Sequence, residues 1–207
     1  MEKIAIIGSP GAGKTTLATK ISSMLKIKVI HLDRLLWKRG WQGKSSDTRI
    51  DIMHAIAQEK HWVIEGTYIN SSEARLDAAD TIIFLDVSPF LCFWRIMKRH
   101  YVDHGRSRRD LPMECTDKLT LFRMLKVLFF PFREGRTLEQ KLRNYNSKQV
   151  IRLHSMREIN DFLARQGQTV DGIGYVASEE RSTNLGMESY PGLFASILQR
   201  FSSLGRA

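Results

Sequence analysis

Apolar, β-branched residues recur in five short runs, at 4–7, 28–32, 62–64, 81–87 and 149–153, and a stretch of helical periodicity separates each run from the next. Runs this short predict strands buried on both faces. Strand alternating with helix predicts a parallel sheet covered by helices, an α/β architecture of three layers. The predicted helices are 14–25, 46–60, 89–101, 116–130, 136–144 and 155–165. In the second, Ile50, Met53, Ile56 and Ala57 form one apolar stripe, and Ser45 or Ser46 is placed to cap its start. Ser155 followed by Glu158 reads as a capping box for the sixth. Beyond Gly167 the pattern gives way to Gly, Ser and isolated charges until Tyr190-Pro191-Gly192, after which 193–203 reads as a short helix. The expected organisation is one domain over 1–165 and a tail over 166–207, with no internal repeat.

The first run, Ile4-Ala5-Ile6-Ile7, empties into Gly8-Ser9-Pro10-Gly11-Ala12-Gly13-Lys14-Thr15, which matches G-x-x-x-x-G-K-[ST] in full. A strand, a Gly-rich turn and a helix in this order aim several backbone N–H groups and the positive end of a helix dipole at one point, where polyphosphate charge can sit. Gly8, Gly11, Ala12, Gly13, Lys14, Thr15 and Thr16 are therefore the expected nucleotide-binding residues. Lys14 reaches the β- and γ-phosphates as a point charge, and the Thr15 hydroxyl is placed to ligate a Mg²⁺ that bridges them.

The chain has 207 residues, 43% hydrophobic and 26% charged, with net charge +10 and a pI near 9.8. That balance favours anionic partners without distinguishing nucleotide phosphates from a nucleic-acid backbone. No apolar run approaches bilayer length, and 119–132, the densest, carries Arg123 and Lys126. The N-terminus enters the first strand at once, and Cys92 and Cys115 lack metal-ligand spacing, so a cytoplasmic protein with structural thiols is expected. Six histidines likewise show no metal-ligand spacing.

Further blocks follow the loop: His31-Leu32-Asp33 with Trp37 and Gly40-Trp41, Ile64-Glu65-Gly66-Thr67-Tyr68, Arg75-Leu76, the run from Ala79-Asp80-Thr81 to Leu85-Asp86, and Arg95 with Lys98-Arg99. With these, from about residue 1 to 165, the chain resembles the adenylate-kinase-like P-loop proteins, and among them most closely the bacterial DNA topology modulation proteins, or FlaR-like proteins. The resemblance implies strand order 2-3-1-4-5 and a kinase-like ATP site. It also implies that the cations at Arg95, Lys98, Arg99, Arg106, Arg108 and Arg109 belong to a lid at about 102–115, with Arg95 stacking on adenine and Arg99 neutralising the transferring phosphate.

Asp33 follows the second strand, at the carboxyl end of the sheet where ligands bind in open α/β folds. It either orients an acceptor or caps a helix beginning Arg34-Leu35-Leu36. Glu65 ends the third strand, where similar kinases carry Asp before Gly. It either helps hold Mg²⁺, directly or through water, or is a plain strand-end carboxylate. Gly66 is expected to let the acceptor approach the backbone. Arg75 either clamps an anionic acceptor or pairs with Glu73 or Asp77. Trp37 and Trp41 either stack on a ring or pack, and Asp86 is either structural or catalytic.

The expected function is transfer of the γ-phosphoryl of Mg·ATP to a small acceptor. Lys14, Asp33 and Arg99 would be catalytic; Gly8, Gly11, Ala12, Gly13, Lys14, Thr15, Thr16, Arg95 and Arg99 would bind nucleotide; Asp33, Gly66 and Arg75 would bind acceptor; and Thr15 and Glu65 would organise Mg²⁺. The expected state is monomer or dimer, away from membranes, with nucleic acid not favoured as a partner. The alternative is a DNA-associated regulator switched by ATP, supported by the +10 charge but lacking a helix-turn-helix, zinc module or RNA-binding aromatic signature.

Overall fold

Strand β1 (Lys3–Gly8) is central to the sheet, and alternate residues along it serve opposite faces. Ile4 and Ile6 join one buried cluster, with Leu17, Ile21, Val63, Ile83, Cys92 and Phe162. Ala5 and Ile7 join the other, with Ile30, Met53, Ile64, Leu76, Phe84 and Leu138. Each fully buried Ile of this strand contributes about 1.5–3 kcal/mol relative to exposure. A one-residue slip would exchange the two clusters, so the register is tightly specified.

The structure, a computed structural model, describes residues 1–38, 42–69, 72–102 and 121–170, all within one compact unit, Met1–Ile173. Of the expectations above, Gly40, Trp41, Arg106, Arg108, Arg109, Cys115, the lid beyond Val102 and the helix at 193–203 lie outside the described residues.

Chain order continues with α1 (Lys14–Leu25), β2 (Val29–His31), α2 (Leu32–Leu36), β3 (Trp37–Lys38), β4 (Gln42–Gly43), α3 (Ser46–Ala57), β5 (Trp62–Glu65), α4 (Glu73–Ala78) and β6 (Thr81–Leu85). After these come α5 (Pro89–Val102), α6 (Leu121–Leu128), a 3-10 turn (Phe130–Phe132), α7 (Glu134–Arg143), β7 (Gln149–Leu153) and α8 (Met156–Val170). The five-stranded parallel sheet has the order β2-β5-β1-β6-β7. Counting only the strands of this sheet in chain order, that is 2-3-1-4-5, the order implied by the sequence resemblance. Helices α1 and α8 pack on one face, and α3, α4 and α7 on the other.

All five predicted strands are present, and helix starts follow local capping. The Ser45 side chain accepts a hydrogen bond from Thr48 N at 3.3 Å and opens α3. Ser155 Oγ accepts from Glu158 N at 3.2 Å, while the Glu158 carboxylate accepts from His154 N at 3.0 Å, so the reciprocal contact lands one residue before the expected cap. The sequence offered α2 only as one reading of Asp33, two residues late, and did not predict α4 or the β3–β4 hairpin. Helix α4 has only six residues, too few for a visible period. Its C-terminal carbonyls are met by Lys148 Nζ, which donates to Leu76 O at 2.9 Å, to Ala79 O at 3.0 Å and to Asp77 O. A cation there complements the helix dipole, and it comes from 69 residues beyond Ala79 in the chain.

The edge of β1 is fastened by Asp80, whose carboxylate accepts from Glu2 N at 2.6 Å, Lys3 N at 2.9 Å and Thr81 Oγ1 at 2.7 Å. Partial burial pushes this carboxyl up, but the hydrogen bonds and the N-terminal ammonium outweigh it and hold it below the ordinary carboxylate value. A depressed value contributes stability that is present above the unfolded pKa, about 3.9, and is lost as pH falls through the folded one. Asp80→Asn is therefore expected to lower the urea midpoint at neutral pH, and the gap to the parent should close as pH drops below the carboxylate range. A gap that persists undiminished in acid would show that the charge of Asp80 is not what fastens the strand.

Candidate active site

The loop at 8–15 forms where β1 ends. Gly13, the residue before α1, holds a left-handed conformation (φ 101°) that favours glycine, and no side chain caps the helix. A capping hydroxyl or carboxylate would fill the space in front of the first-turn N–H groups, so leaving it out keeps that end of the dipole open to an anion. Lys14 Nζ folds back on the loop, donating to Gly8 O at 3.0 Å and Ser9 O at 2.9 Å. The Thr15 hydroxyl lies 3.3 Å from Glu65 Oε1. Gly11, Ala12, Gly13, Lys14, Thr15 and Thr16 all line a single open cavity of about 1440 Å³.

The parallel register sets Glu65 beside Ile6 of β1 on one side and beside His31 of β2 on the other. Its carboxylate is almost fully buried and takes a 2.9 Å contact from His31 Nδ1 in addition to Thr15. A buried carboxylate needs compensating charge or donors. Arg75 supplies the field from behind: it is completely buried, and desolvation lowers it to about 10 while Glu65 and Tyr68 oppose that fall, so it remains a cation at neutral pH. One of its nitrogens, Nη2, donates to Thr67 O, and among the described residues Nε and Nη1 have no hydrogen-bond partner.

Arg75 thus differs from both sequence readings. It is not on the cavity wall, and the carboxylates it was expected to pair with are engaged elsewhere, Glu73 with Lys141 Nζ at 2.7 Å and Asp77 with Tyr145 Oη at 2.7 Å. The reason is helical: Arg75 follows Ser72 and precedes Leu76 on the face of α4 that turns into the sheet, where all three are fully buried. Gly66 also differs in part. It lines the cavity, but its φ is 138° and a Cβ at this position would lie 3.0 Å from Leu32 Cβ, so its missing side chain makes room for α2.

Asp33 lies in the first turn of α2 rather than at its cap, which is His31. It lines the cavity, and its Oδ1 accepts from Tyr68 Oη at 2.5 Å. Tyr68 Oη in turn accepts from Trp37 Nε1 at 2.6 Å. Burial, with the Asp33 charge and hydrogen bond, pushes the Tyr68 phenol far up, so it stays protonated and keeps donating. Tyr68 has a positive φ of 31°, uncommon outside glycine and characteristic of strained functional positions. Trp37 is therefore a bonded wall of the site, and Arg49 of α3 lies over its ring at 5.6 Å. Arg49 was absent from the sequence reading. Its signal was there: Arg49, Met53 and Ala57 fall at i, i+4, i+8 on one helix face, a cation in line with two buried residues.

On α5, Arg95 and Arg99 face the cavity, and Arg95 Nη1 approaches Ala12 O at 3.4 Å. Lys98 sits 5.2 Å over the Trp94 ring and is not on the wall. Asp86 is outside the cavity, 3.2 Å from His154 Nδ1. Cys92 is buried, with its thiol pushed up by burial. Among the described residues no helix is long and apolar enough to cross a membrane.

Residues 4–86 match the ATPase family associated with various cellular activities (AAA). Over 101 residues the chain is 30% identical to a Pyrococcus furiosus protein described as "Putative adenylate kinase", covering 47% of this chain and 56% of that one. The chain thus spans just over half the length of this curated relative. Its backbone matches shikimate kinase from Acinetobacter baumannii in complex with shikimate at a TM-score of 0.54, with 14% identity over 83% of this chain and 94% of that one. The fold is that of the α/β P-loop NTPases. Shikimate kinase from Bacteroides thetaiotaomicron also aligns, at a TM-score of 0.46 and 19% identity, covering 81% of this chain and 97% of that one.

The Trp37–Tyr68–Asp33 relay makes a stability prediction. Tyr68→Phe removes the donor to Asp33 and the acceptor of the Trp37 indole N–H, and should destabilise the fold by about 1–3 kcal/mol, the range for leaving buried polar groups without partners. Urea unfolding checks this. An unchanged midpoint would show that the relay carries no energy.

Proposed function

We propose that this protein binds Mg·ATP on the loop at 8–15 and transfers the γ-phosphoryl group to a small acceptor held beside Asp33. The observation that carries the reading is one cavity lined both by the phosphate loop with Arg95 and Arg99 and by the hydrogen-bonded set Asp33, Tyr68 and Trp37. Phosphoryl transfer to an acceptor uses an anchored carboxylate to place the accepting group, because catalysis there is mostly positioning and charge stabilisation.

Lys14 and Arg99 supply positive charge at the transferring phosphoryl, Arg95 flanks the nucleotide, and Asp33 orients the acceptor group. Thr15 and Glu65 fit Mg²⁺. Both offer oxygen, and they approach to 3.3 Å. A cation that keeps waters and phosphate oxygens as most of its ligands asks for no more than this. When bound, Mg²⁺ neutralises charge across the β- and γ-oxygens. Arg75 is assigned the support of Glu65 and the 65–68 turn instead of acceptor contact. The narrower resemblance to the DNA topology modulation family rests on the sequence motifs alone, and the DNA-regulator alternative gains nothing from the site beyond the +10 charge.

Lys14→Ala tests the nucleotide assignment. It should weaken Mg·ATP binding at least tenfold by calorimetry and lower turnover by about 10²-fold or more, the scale for losing one preorganised charge donor, with the circular-dichroism spectrum unchanged. A folded variant that binds and turns over ATP like the parent would contradict the assignment.

A further inference from the structure

The acceptor lobe holds two opposite charges that do not neutralise each other. Asp33 Oδ1 is occupied by the Tyr68 hydroxyl, while Oδ2 takes no hydrogen bond from the described residues. Arg49 lines the same cavity and has no acidic partner among the described residues. Its guanidinium is held against the β3–β4 hairpin: it lies over the Trp37 ring at 5.6 Å, and a Cβ at Gly43, the cross-strand partner of Trp37, would come within 2.2 Å of Nη2. Its Nε is buried and makes no hydrogen bond among the described residues. A half-buried guanidinium fixed against a hairpin, with no counter-charge among the described residues, is prepared for a carboxylate or phosphate from outside.

The carboxylate constrains the acceptor in the other direction. An acceptor reacting through a phosphate oxygen would bring a second anion against Asp33 and its Tyr68-bound carboxylate, a like-charge contact in a partly desolvated lobe. A hydroxyl has the reverse character, donating its proton to Oδ2 and turning a lone pair outward.

Resting on the kinase reading above, we propose that the acceptor is a small alcohol that carries its own carboxylate or phosphate group, with the hydroxyl on Asp33 and the anionic group on Arg49. In the transfer the acceptor oxygen forms a bond to the γ-phosphorus, the bond from that phosphorus to the β,γ-bridging oxygen breaks, ADP leaves, and the hydroxyl proton passes to Asp33 and on to solvent. The product is a phosphate monoester, not a phosphoanhydride. Arg49 is the specificity-determining residue.

The test is a set of acceptors with Mg·ATP, followed by ADP release and by ³¹P NMR of the product. Shikimate and D-gluconate represent hydroxy acids, ribose 5-phosphate and glycerol 3-phosphate represent alcohol phosphates, ribose and glycerol are the neutral counterparts, and AMP and UMP offer a phosphate acceptor. Turnover of at least one anionic alcohol to a monoester is expected, with the neutral counterpart at least tenfold lower in kcat/KM. Arg49→Gln should raise KM for that acceptor at least tenfold with kcat within a few-fold, leave neutral alcohols unaffected, and be partly rescued by Arg49→Lys. A purely structural Arg49 would instead lower all activities together. Formation of ADP or UDP from the monophosphates as the main reaction would overturn the proposal, as would equal use of neutral alcohols. So would Mg·ATP binding with neither turnover nor calorimetric binding of any anionic alcohol. Absence of Mg·ATP binding is a different result and counts against the kinase reading itself.

Discussion

The burial of β1 between β5 and β6 is the constraint from which the rest of the site follows. Parallel pairing of Ile6 with Glu65 and with Ile83 fixes where each strand stops, and the same pairing puts His31 level with Glu65. Three carboxyl ends, those of Gly8, His31 and Glu65, therefore meet at one edge of the sheet. The Gly8 carbonyl lies there and accepts from both Thr67 Oγ1 at 2.5 Å and Lys14 Nζ at 3.0 Å. The phosphate loop and the 65–68 turn are thus tied through a single oxygen, and neither keeps its place if the register slips.

That meeting point has an electrostatic cost, and the answer to it shapes the cavity wall around Asp33. Glu65 is buried beside Thr15 and His31 at the back of the loop. Arg75, buried deeper, balances it without reaching the cavity and holds the Thr67 carbonyl. The turn it braces carries Tyr68 at a positive φ, and Tyr68 fixes Asp33 and Trp37. A cation on a six-residue helix thereby sets the geometry of a carboxylate that belongs to a different helix. Positioning of this kind is what a transfer reaction with little covalent chemistry requires of its protein.

What the sequence disclosed follows from how local each signal is. The loop was legible because strand, glycines, Lys14 and Thr15 are contiguous, and the five strands because buried parallel strands are short unbroken apolar runs. Glu65 and Asp33 stand out in the sequence because each ends or follows such a run. The burial of Arg75 and the contact of Gly66 with Leu32 were not legible because they depend on which way α4 turns and on where α2 approaches, packing facts that no spacing encodes. Arg49 was missed although it falls in line with Met53 and Ala57 on α3, because its neighbours Trp37 and Gly43 come from a hairpin of two-residue strands too short to show a period.

The central claim is that the loop at 8–15 is a nucleotide site whose charged groups wait in a self-satisfied arrangement. A crystal structure with Mg²⁺ and a non-hydrolysable ATP analogue tests it most directly. The account predicts β- and γ-phosphates at the α1 N-terminus, Lys14 Nζ moved from the Gly8 and Ser9 carbonyls onto them, and Mg²⁺ between the phosphates and Thr15, with Glu65 at or one water from the metal. Nucleotide bound elsewhere, or a loop that keeps Lys14 on its own carbonyls at saturating analogue, would contradict it.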